Sequence, residues 1–169
     1  MEKNLQSKEA LEKYRKLVND INVCMFITNC TSGGNSPEHT RPMATIEVED
    51  DGTLWFFSDI RSIKIEEVSV EHKVHLTYAH PGKESYMDVR GTADVITDRA
   101  QIKSKWKPMV KAWFPGGSDD PNLALLRVRP SDCYYWDAET GKMVAFLKIA
   151  AAAITGKRLA EGAEGSLKL

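Results

Sequence analysis

The stretch 41-RPMATIEVEDDGTLWFFSDIRSIKIEEV-68 contains the pattern that decides the fold. Its runs TIEVE and TLWFF have the length and apolar content of strands, and Asp50, Asp51 and Gly52 between them are typical of a tight turn. The stretch therefore predicts an antiparallel hairpin. The piece SIKIEEV that follows fits either a strand or a helix, and the N-cap residues Asp59 and Ser62 before it favour a short helix.

Apolar runs on both sides extend this pattern. Upstream, 22-NVCMFITNC-30 reads as a strand, and the polar stretch 31-TSGGNSPEHT-40 reads as a long loop that leads to Arg41. Downstream lie three runs that alternate or are rich in apolar residues: 73-KVHLTYAHPG-82, 84-ESYMDVRGTADVITD-98 and 123-LALLRVRPSDCYYWD-137. Six strands joined mostly by short turns favour a mainly β fold, in which a six-stranded antiparallel sheet closes into a small barrel.

Helical patterns flank these strands. The segment 7-SKEALEKYRKLVNDI-21 has apolar residues at helical spacing, and 99-RAQIKSKWKPMVKAWF-114 reads as a helix capped by Asp98 and broken at Pro108. A terminal helix is predicted for 142-KMVAFLKIAAAAITGKR-158. We expect a single domain over residues 1–160 and a flexible, polar tail over residues 161–169.

The charge balance excludes a general attraction to nucleic acid or membranes. The 169 residues include 23 Lys and Arg against 24 Asp and Glu, with a pI of about 6.4. The segment MEKNLQSKEALEKY lacks the apolar core of a signal peptide, and no run reaches the ~20 apolar residues of a membrane span. These features predict a cytoplasmic protein with no nucleic-acid or membrane partner.

Motifs of metal binding and covalent catalysis are missing from the sequence. The three cysteines have no CxxC or Cys/His ligand spacing, and the H-x-x-H pair His72 and His75 lies in a strand pattern, where positions i and i+3 face opposite sides. There is also no G-x-S-x-G, Walker or dinucleotide-binding loop. We therefore predict no metal site, assign no catalytic residue, and expect any redox chemistry to come from a cofactor.

Three residues of the opening stretch form a candidate anion site. Arg41 begins one strand, Ser62 precedes the helix, and Lys64 lies in its first turn. A cation at a helix N-terminus opposes the helix dipole, so Lys64 is favourable there mainly when an anion is bound. The alternative is that Arg41 and Lys64 are solvated charges beside the acidic stretches 47-EVEDD-51 and 66-EE-67, and the pattern alone leaves both interpretations open.

Aromatic residues offer a second candidate feature. Trp55, Phe56 and Phe57 are consecutive in a strand, so they cannot all face one core, and at least one ring needs a cover on the other face. More aromatic surface lies near the Gly- and Pro-rich loops, at Trp106, Trp113, Phe114 and Trp136. Ordinary packing explains each residue alone, whereas a flat conjugated ligand would explain the set.

A series of motifs together resembles the general stress protein branch of the pyridoxamine 5'-phosphate oxidase-like family. The likeness runs from about residue 10 to about residue 160. The motifs are RPM at 41–43, DDGTLWFFS at 50–58, S-x-K at 62–64, GTA at 91–93, W-x-P-M at 106–109, KAWFPGG at 111–117, DDPNLALLRV at 119–128 and YWD at 135–137.

The resemblance implies the FMN-binding split-barrel fold and a homodimer with the cofactor at the subunit interface. It places the phosphate on Arg41, Ser62 and Lys64, and the flavin along two strands, partly through backbone groups. The flavin-lining positions are Arg41, Pro42, Met43, Ala44, Thr45, Phe56, Phe57 and Ser58. The candidates for aromatic residues that close the site from the partner subunit are Trp106, Trp113, Phe114 and Trp136.

The resemblance also has a departure that bears on activity. True pyridoxamine phosphate oxidases hold the substrate phosphate with an arginine and histidine pair near the C-terminus, and this chain has no histidine after His80. Oxidation of vitamin B6 is therefore not expected. The first hypothesis is an oxidoreductase that uses FMN, or FAD, on an unassigned substrate. The second is a non-catalytic flavin-binding or redox-responsive stress protein, and the third is a haem-binding barrel.

Overall fold

The computed structural model describes residues 5–30, 37–138 and 163–168. Its strands are β1 Leu5–Gln6, β2 Val23–Thr28, β3 His39–Ala44, β4 Glu47–Val48, β5 Leu54–Asp59, β6 Lys73–His80, β7 Ser85–Ile96, β8 Leu123–Asp137 and β9 Ala163–Lys168. Its α-helices are α1 Ser7–Ile21, α2 Ile63–Val70 and α3 Arg99–Lys105. Short 3-10 turns cover Pro81–Lys83, Pro108–Ala112 and Gly117–Asp119. None of the described helices is long and apolar enough to cross a membrane.

The strands form a curled sheet in the order β1-β9-β8-β7-β6-β2-β3, with β5 paired to β8 and β4 paired to β5. Every pair is antiparallel except β1 with β9. The predicted fold class, a mainly β barrel with flanking helices, is confirmed, and the antiparallel sheet takes the form of a curled half-barrel. The six predicted strands correspond to β2, β3, β5, β6, β7 and β8.

Nine strands are present among the described residues instead of six, and the additional ones have local causes. The predicted strand over 41–49 divides at Thr45, whose N–H donates to the Asn22 carbonyl, while the next N–H, of Ile46, donates to the Trp55 carbonyl. The chain thus leaves β2 and joins β5 within two residues. β1 is too short to show a pattern, and β9, which lies within the predicted tail 161–169, pairs with β8.

Strand β8 has two partners along one edge. Its first half pairs with β5 and its last residues with β9, while β7 follows its other edge over almost the whole length. The register between β7 and β8 shifts between Arg90 and Gly91. A Cβ atom added at Gly91 would lie 2.3 Å from the carbonyl oxygen of Arg129. Glycine is therefore required where the two strands change register.

The barrel core lies between the curled sheet and helix α1. Residues of β2 alternate between exposed and buried, and Cys24, Phe26 and Thr28 point inward. The fully buried Tyr14 of α1 donates its hydroxyl hydrogen bond to the carbonyl of Gly52 at 3.0 Å, which ties the helix to the turn before β5. Burial raises the pKa of Cys24 to about 12, so this thiol is an apolar packing group.

Strand β5 is buried on both faces. Leu54 and Phe56 belong to the barrel core, whereas Trp55 and Phe57 pack in a second hydrophobic cluster with residues of α3, the following 3-10 turn and β8. The predicted need for a cover over one ring is thus met by the chain itself. Asp98 caps α3 by accepting the Gln101 N–H at 2.8 Å, and the helix ends before Pro108, as predicted.

Two further predictions lie partly or wholly outside the described residues. The terminal helix over 142–158 is one of them, and most of the long loop 31–40 is the other. The short helix predicted after Ser62 is confirmed as α2, for which Ser62 is the N-cap residue.

Candidate functional site

The sheet opens between β3 and β5. Within the described part of the chain β3 pairs only with β2, so the backbone groups along its other edge have no strand partner. After Ala44 the chain turns toward β5, and the two strands diverge from that point. The end of β5 leads directly into helix α2, so the start of α2 lies at the same opening.

Arg41 lies at this opening and is held from one side. Its Nη1 donates to the Thr28 hydroxyl at 2.7 Å, and its Nη2 donates to Oε2 of Glu67 at 3.1 Å. A guanidinium has five N–H donors, so three of them have no partner among the described residues. Arg41 is therefore fixed in position and still has donors for a ligand.

The partner of Arg41 is a buried carboxylate. Oε2 of Glu67 also accepts from the Thr28 hydroxyl at 2.5 Å, while Oε1 accepts from Asn29 Nδ2 at 3.3 Å and contacts His39 Nδ1. Burial alone would raise the pKa of Glu67, but the hydrogen bonds from Thr28, His39 and Arg41 outweigh it and hold the pKa below its ordinary value. Glu67 is consequently ionised at neutral pH.

Lys64 is a half-buried cation with no counter-ion among the residues that the structure describes. Burial lowers its pKa, and the nearby positive charge of Arg41 lowers it further, while Asp59 acts in the opposite direction. Its ammonium group makes no hydrogen bond or ion pair with any residue that the structure describes. A partly buried cation whose charge is disfavoured by a neighbouring cation is a suitable binding position for an anion.

Two serines lie beside Lys64. The buried Ser58, at the end of β5, has its hydroxyl 3.2 Å from the hydroxyl of Ser62. Ser62 makes no side-chain capping bond to α2. The first turn of the helix thus keeps N–H donors from which an anion could accept hydrogen bonds. Of the predicted residues, Ser58 and Ser62 are in contact, and Lys64 follows Ser62 by two residues.

The other predicted residues of β3 and β5 contribute differently. Pro42 is exposed on the outer face of the sheet, and Met43 packs against the barrel core. The hydroxyl of the buried Thr45 shares a 2.8 Å hydrogen bond with Tyr78 inside the barrel. Phe56 is fully buried against Phe26, so only its backbone can reach a ligand.

The predicted aromatic residues do not meet within one chain. Trp106 and Phe114 pack on Phe57, with ring centroids 5.7 and 6.3 Å apart, so internal packing accounts for them. Trp113 is 63% exposed on the same side of β5. Trp136 lies on β8, and three strands separate it from β3. Their assignment to a cofactor site stays a prediction.

Sequence reasoning did not assign Thr28, Asn29, His39 or Glu67 to this site, where the structure brings them together. The strand register pairs Phe26 with Arg41 and Thr28 with His39, so all four face one side. A signal was present in α2, where Glu67 follows Lys64 by three residues and therefore lies on nearly the same face of the helix. Only the fold shows that this face meets β2 and β3.

Residues 9–160 match the protein family described as pyridoxamine 5'-phosphate oxidase like. The chain belongs to this family. Among relatives of this pyridoxamine 5'-phosphate oxidase-like protein, protein bli-3 of Neurospora crassa is 26% identical over 127 residues, which are 70% of this chain and 61% of bli-3. The chain thus spans less than two thirds of the length of that relative.

Crystal structures of other proteins share the fold of this pyridoxamine 5'-phosphate oxidase-like chain. A protein of Jannaschia sp. CCS1 assigned to general stress protein 26 has a TM-score of 0.78 and 22% identity, and the match covers 96% of this chain and 100% of that one. The general stress FMN/FAD binding protein of Xanthomonas citri has a TM-score of 0.66 and 30% identity, over 80% of this chain and 93% of that one.

Proposed function

We propose that this protein binds a flavin, with FMN as the preferred form, and that the phosphate of the flavin lies between Arg41 and Lys64. The observation that carries the proposal is the half-buried Lys64, which lies close enough to Arg41 for that charge to lower its pKa and which has no counter-ion among the described residues. A phosphate dianion would neutralise both cations and accept the unused N–H groups of Arg41. The 30% identical Xanthomonas citri protein, an FMN/FAD binding protein, supports the same conclusion.

The open edge of β3 fits the flavin ring. Ring nitrogens and carbonyl oxygens of a flavin need donors and acceptors. The backbone groups of residues 40–44 that face away from β2, and have no strand partner among the described residues, supply both. The backbone of Phe56, Phe57 and Ser58 lies across the opening. We assign these strands to the ring and the start of α2 to the phosphate.

A second copy of the chain is proposed to complete the site. The outer apolar face of the sheet, defined by Val23, Met25, Pro42, Tyr86 and Trp136, exposes 48% of Val23, 40% of Met25, 39% of Tyr86 and 42% of Trp136. Such a contiguous apolar surface is typical of an interface. A homodimer across this face would cover it and would bring Trp136 or Trp113 of one subunit toward the β3 edge of the other.

This dimer can be tested with a charge placed on the outer apolar face. Met25→Glu is expected to convert a sedimenting dimer into monomers and to reduce flavin retention, because a carboxylate would be buried in the interface. Val70→Glu is the matched control, since Val70 is 83% exposed on α2 and lies outside that face. A wild-type monomer that retains flavin would contradict the proposed assembly.

Flavin supplies hydride and electron transfer when it is bound, so the chain itself needs only to bind and orient it. The described residues at the opening between β3 and β5 supply cations, hydroxyls and backbone groups that could bind and orient the flavin. We propose an oxidoreductase of unassigned substrate as the activity. The alternative is a flavin-binding stress protein without turnover. It is favoured by the ion pair between Arg41 and Glu67, because the carboxylate of Glu67 holds Arg41 in place and is not available as an acid or base.

The experiment that tests this function compares FMN with riboflavin, which has the same ring and no phosphate. FMN is expected to stay with the protein through gel filtration and to bind at least ~100-fold more tightly than riboflavin, because two charge-assisted contacts are lost without phosphate. Equal affinities would overturn the phosphate site, and a haem spectrum after addition of haemin would favour the third hypothesis. Bleaching of the bound flavin by NADH or NADPH would support the oxidoreductase over the carrier.

A further inference from the structure

We propose that Glu67 is a positioning residue, which fixes the guanidinium of Arg41 for the flavin phosphate while its charge limits how strongly that phosphate is held. This inference rests on the proposed phosphate site. It concerns a residue that does not itself touch the ligand, because its carboxylate is buried behind Arg41.

The first step is geometric. Thr28 and Glu67 are hydrogen-bonded to each other at 2.5 Å, and each accepts from a different terminal nitrogen of Arg41. This pair therefore grips the end of the guanidinium at two points and prevents its rotation. An arginine that is held in this way loses less conformational freedom when it binds phosphate, which favours binding.

The second step concerns the anchoring of Glu67 itself. Its two oxygens meet four partners, Thr28, Asn29, His39 and Arg41, which matches the four lone-pair sites of a carboxylate. Because Glu67 can only accept here, His39 Nδ1 carries a proton in this contact. The network joins α2 to the end of β2 and the start of β3. The position of Arg41 is therefore fixed relative to three elements of the fold.

The third step is electrostatic. The charge of Arg41 lowers the pKa of Lys64, and Glu67 forms the ion pair that balances the partly buried Arg41 when no ligand is bound. The same negative charge repels a bound phosphate. Glu67 thus has two opposite effects on the affinity for FMN. It raises the affinity by ordering Arg41 and lowers it through its negative charge, and two substitutions can separate these effects.

Glu67→Gln keeps an acceptor that orders the Arg41 side chain and removes the negative charge at this position. Its amide oxygen can accept from Thr28 and Arg41 as Oε2 does. Its amide nitrogen can donate to Nδ1 of the His39 tautomer that is protonated at Nε2, while the contact with Asn29 Nδ2 is lost. The ratio of FMN to riboflavin affinity is expected to rise about threefold, because an anion near the phosphate has been removed. Glu67→Ala removes both the acceptor that orders Arg41 and the negative charge. The ratio of FMN to riboflavin affinity is expected to fall about tenfold, because a less ordered Arg41 makes a weaker charge-assisted contact with the phosphate.

Riboflavin separates this role from a purely structural one. If Glu67 only stabilised the fold, both variants would weaken FMN and riboflavin together, and an unchanged ratio in both would overturn the proposal. Thr28→Val is a second variant of nearly the same shape, and it is expected to lower the ratio about threefold through the lost acceptor for Arg41. If Glu67→Ala does not fold, an unchanged ratio in Thr28→Val overturns the proposal.

Failure of the proposed function would look different. In that case the wild-type protein itself would bind FMN and riboflavin equally, before any variant is compared. A wild-type preference for FMN combined with unchanged ratios in the variants would leave the phosphate site standing and reject the role of Glu67.

Discussion

Replacing Lys64 by alanine is expected to weaken FMN binding by about 10- to 100-fold, the range of a charge-assisted phosphate contact, without loss of apoprotein stability. The two effects separate because Lys64 has no partner among the described residues and its charge is disfavoured there by burial and by Arg41. Its removal takes away a contact with the ligand and none with the folded chain. Fluorescence titration with FMN and thermal unfolding of the apoprotein measure the two quantities.

The matched control is Lys8→Ala, which removes one positive charge at an exposed position on α1. It should change neither quantity, because an exposed pair such as Lys8 with Glu12 contributes little. Arg41→Ala should differ from both, since it also leaves the buried Glu67 without its cation and so destabilises the apoprotein. Unchanged FMN affinity in Lys64→Ala would reject the proposed phosphate site.

Gly91→Ala is expected to lower the free energy of unfolding by about 3 kcal/mol or more, as other overpacked sites do. The new Cβ atom would lie 2.3 Å from the Arg129 carbonyl oxygen and 2.9 Å from the Cα atom of Pro130. Both are backbone atoms, so β7 and β8 would have to separate at the point where their register shifts. The unfolding midpoint should fall by roughly 10 °C in a thermal scan.

Gly82→Ala is the control for the loss of a glycine. Its Cβ atom would meet only the side chain of His80, at 3.3 Å, in an exposed 3-10 turn. A flexible side chain can move by a few tenths of an ångström, so little change in stability is expected. If the two variants unfold at the same temperature, the close approach of Arg129 to Gly91 is not as described.

Local patterns were sufficient for the main elements of the fold. Alternation predicted the six long strands, and the caps Ser62 and Asp98 decided for helices at α2 and α3. The division at Thr45 was not predictable, because two backbone hydrogen bonds to distant partners produce it. β9 was missed because its residues, AEGSLK, show no apolar alternation.

The candidate site was only half predictable. Arg41, Ser62 and Lys64 were predicted because basic and hydroxyl residues at a helix start are chemically conspicuous. The anchoring group Glu67 looked like one more solvated acidic residue, since its burial depends on how α2 packs on β2 and β3. Aromatic residues were ambiguous for a related reason, because a strand pattern shows that Phe57 needs a cover and does not say that Trp106 and Phe114 provide it.

The burial of β5 on both faces has a consequence for how the molecule opens. One strand separates the barrel core from the cluster under α3, and its end carries Ser58 at the candidate site. Because β5 contributes side chains to both clusters, neither cluster can unfold without exposing part of the other. Amide hydrogens of β5 should therefore exchange with solvent only when the whole domain unfolds. A ligand bound at Ser58 would therefore protect both halves of the molecule together.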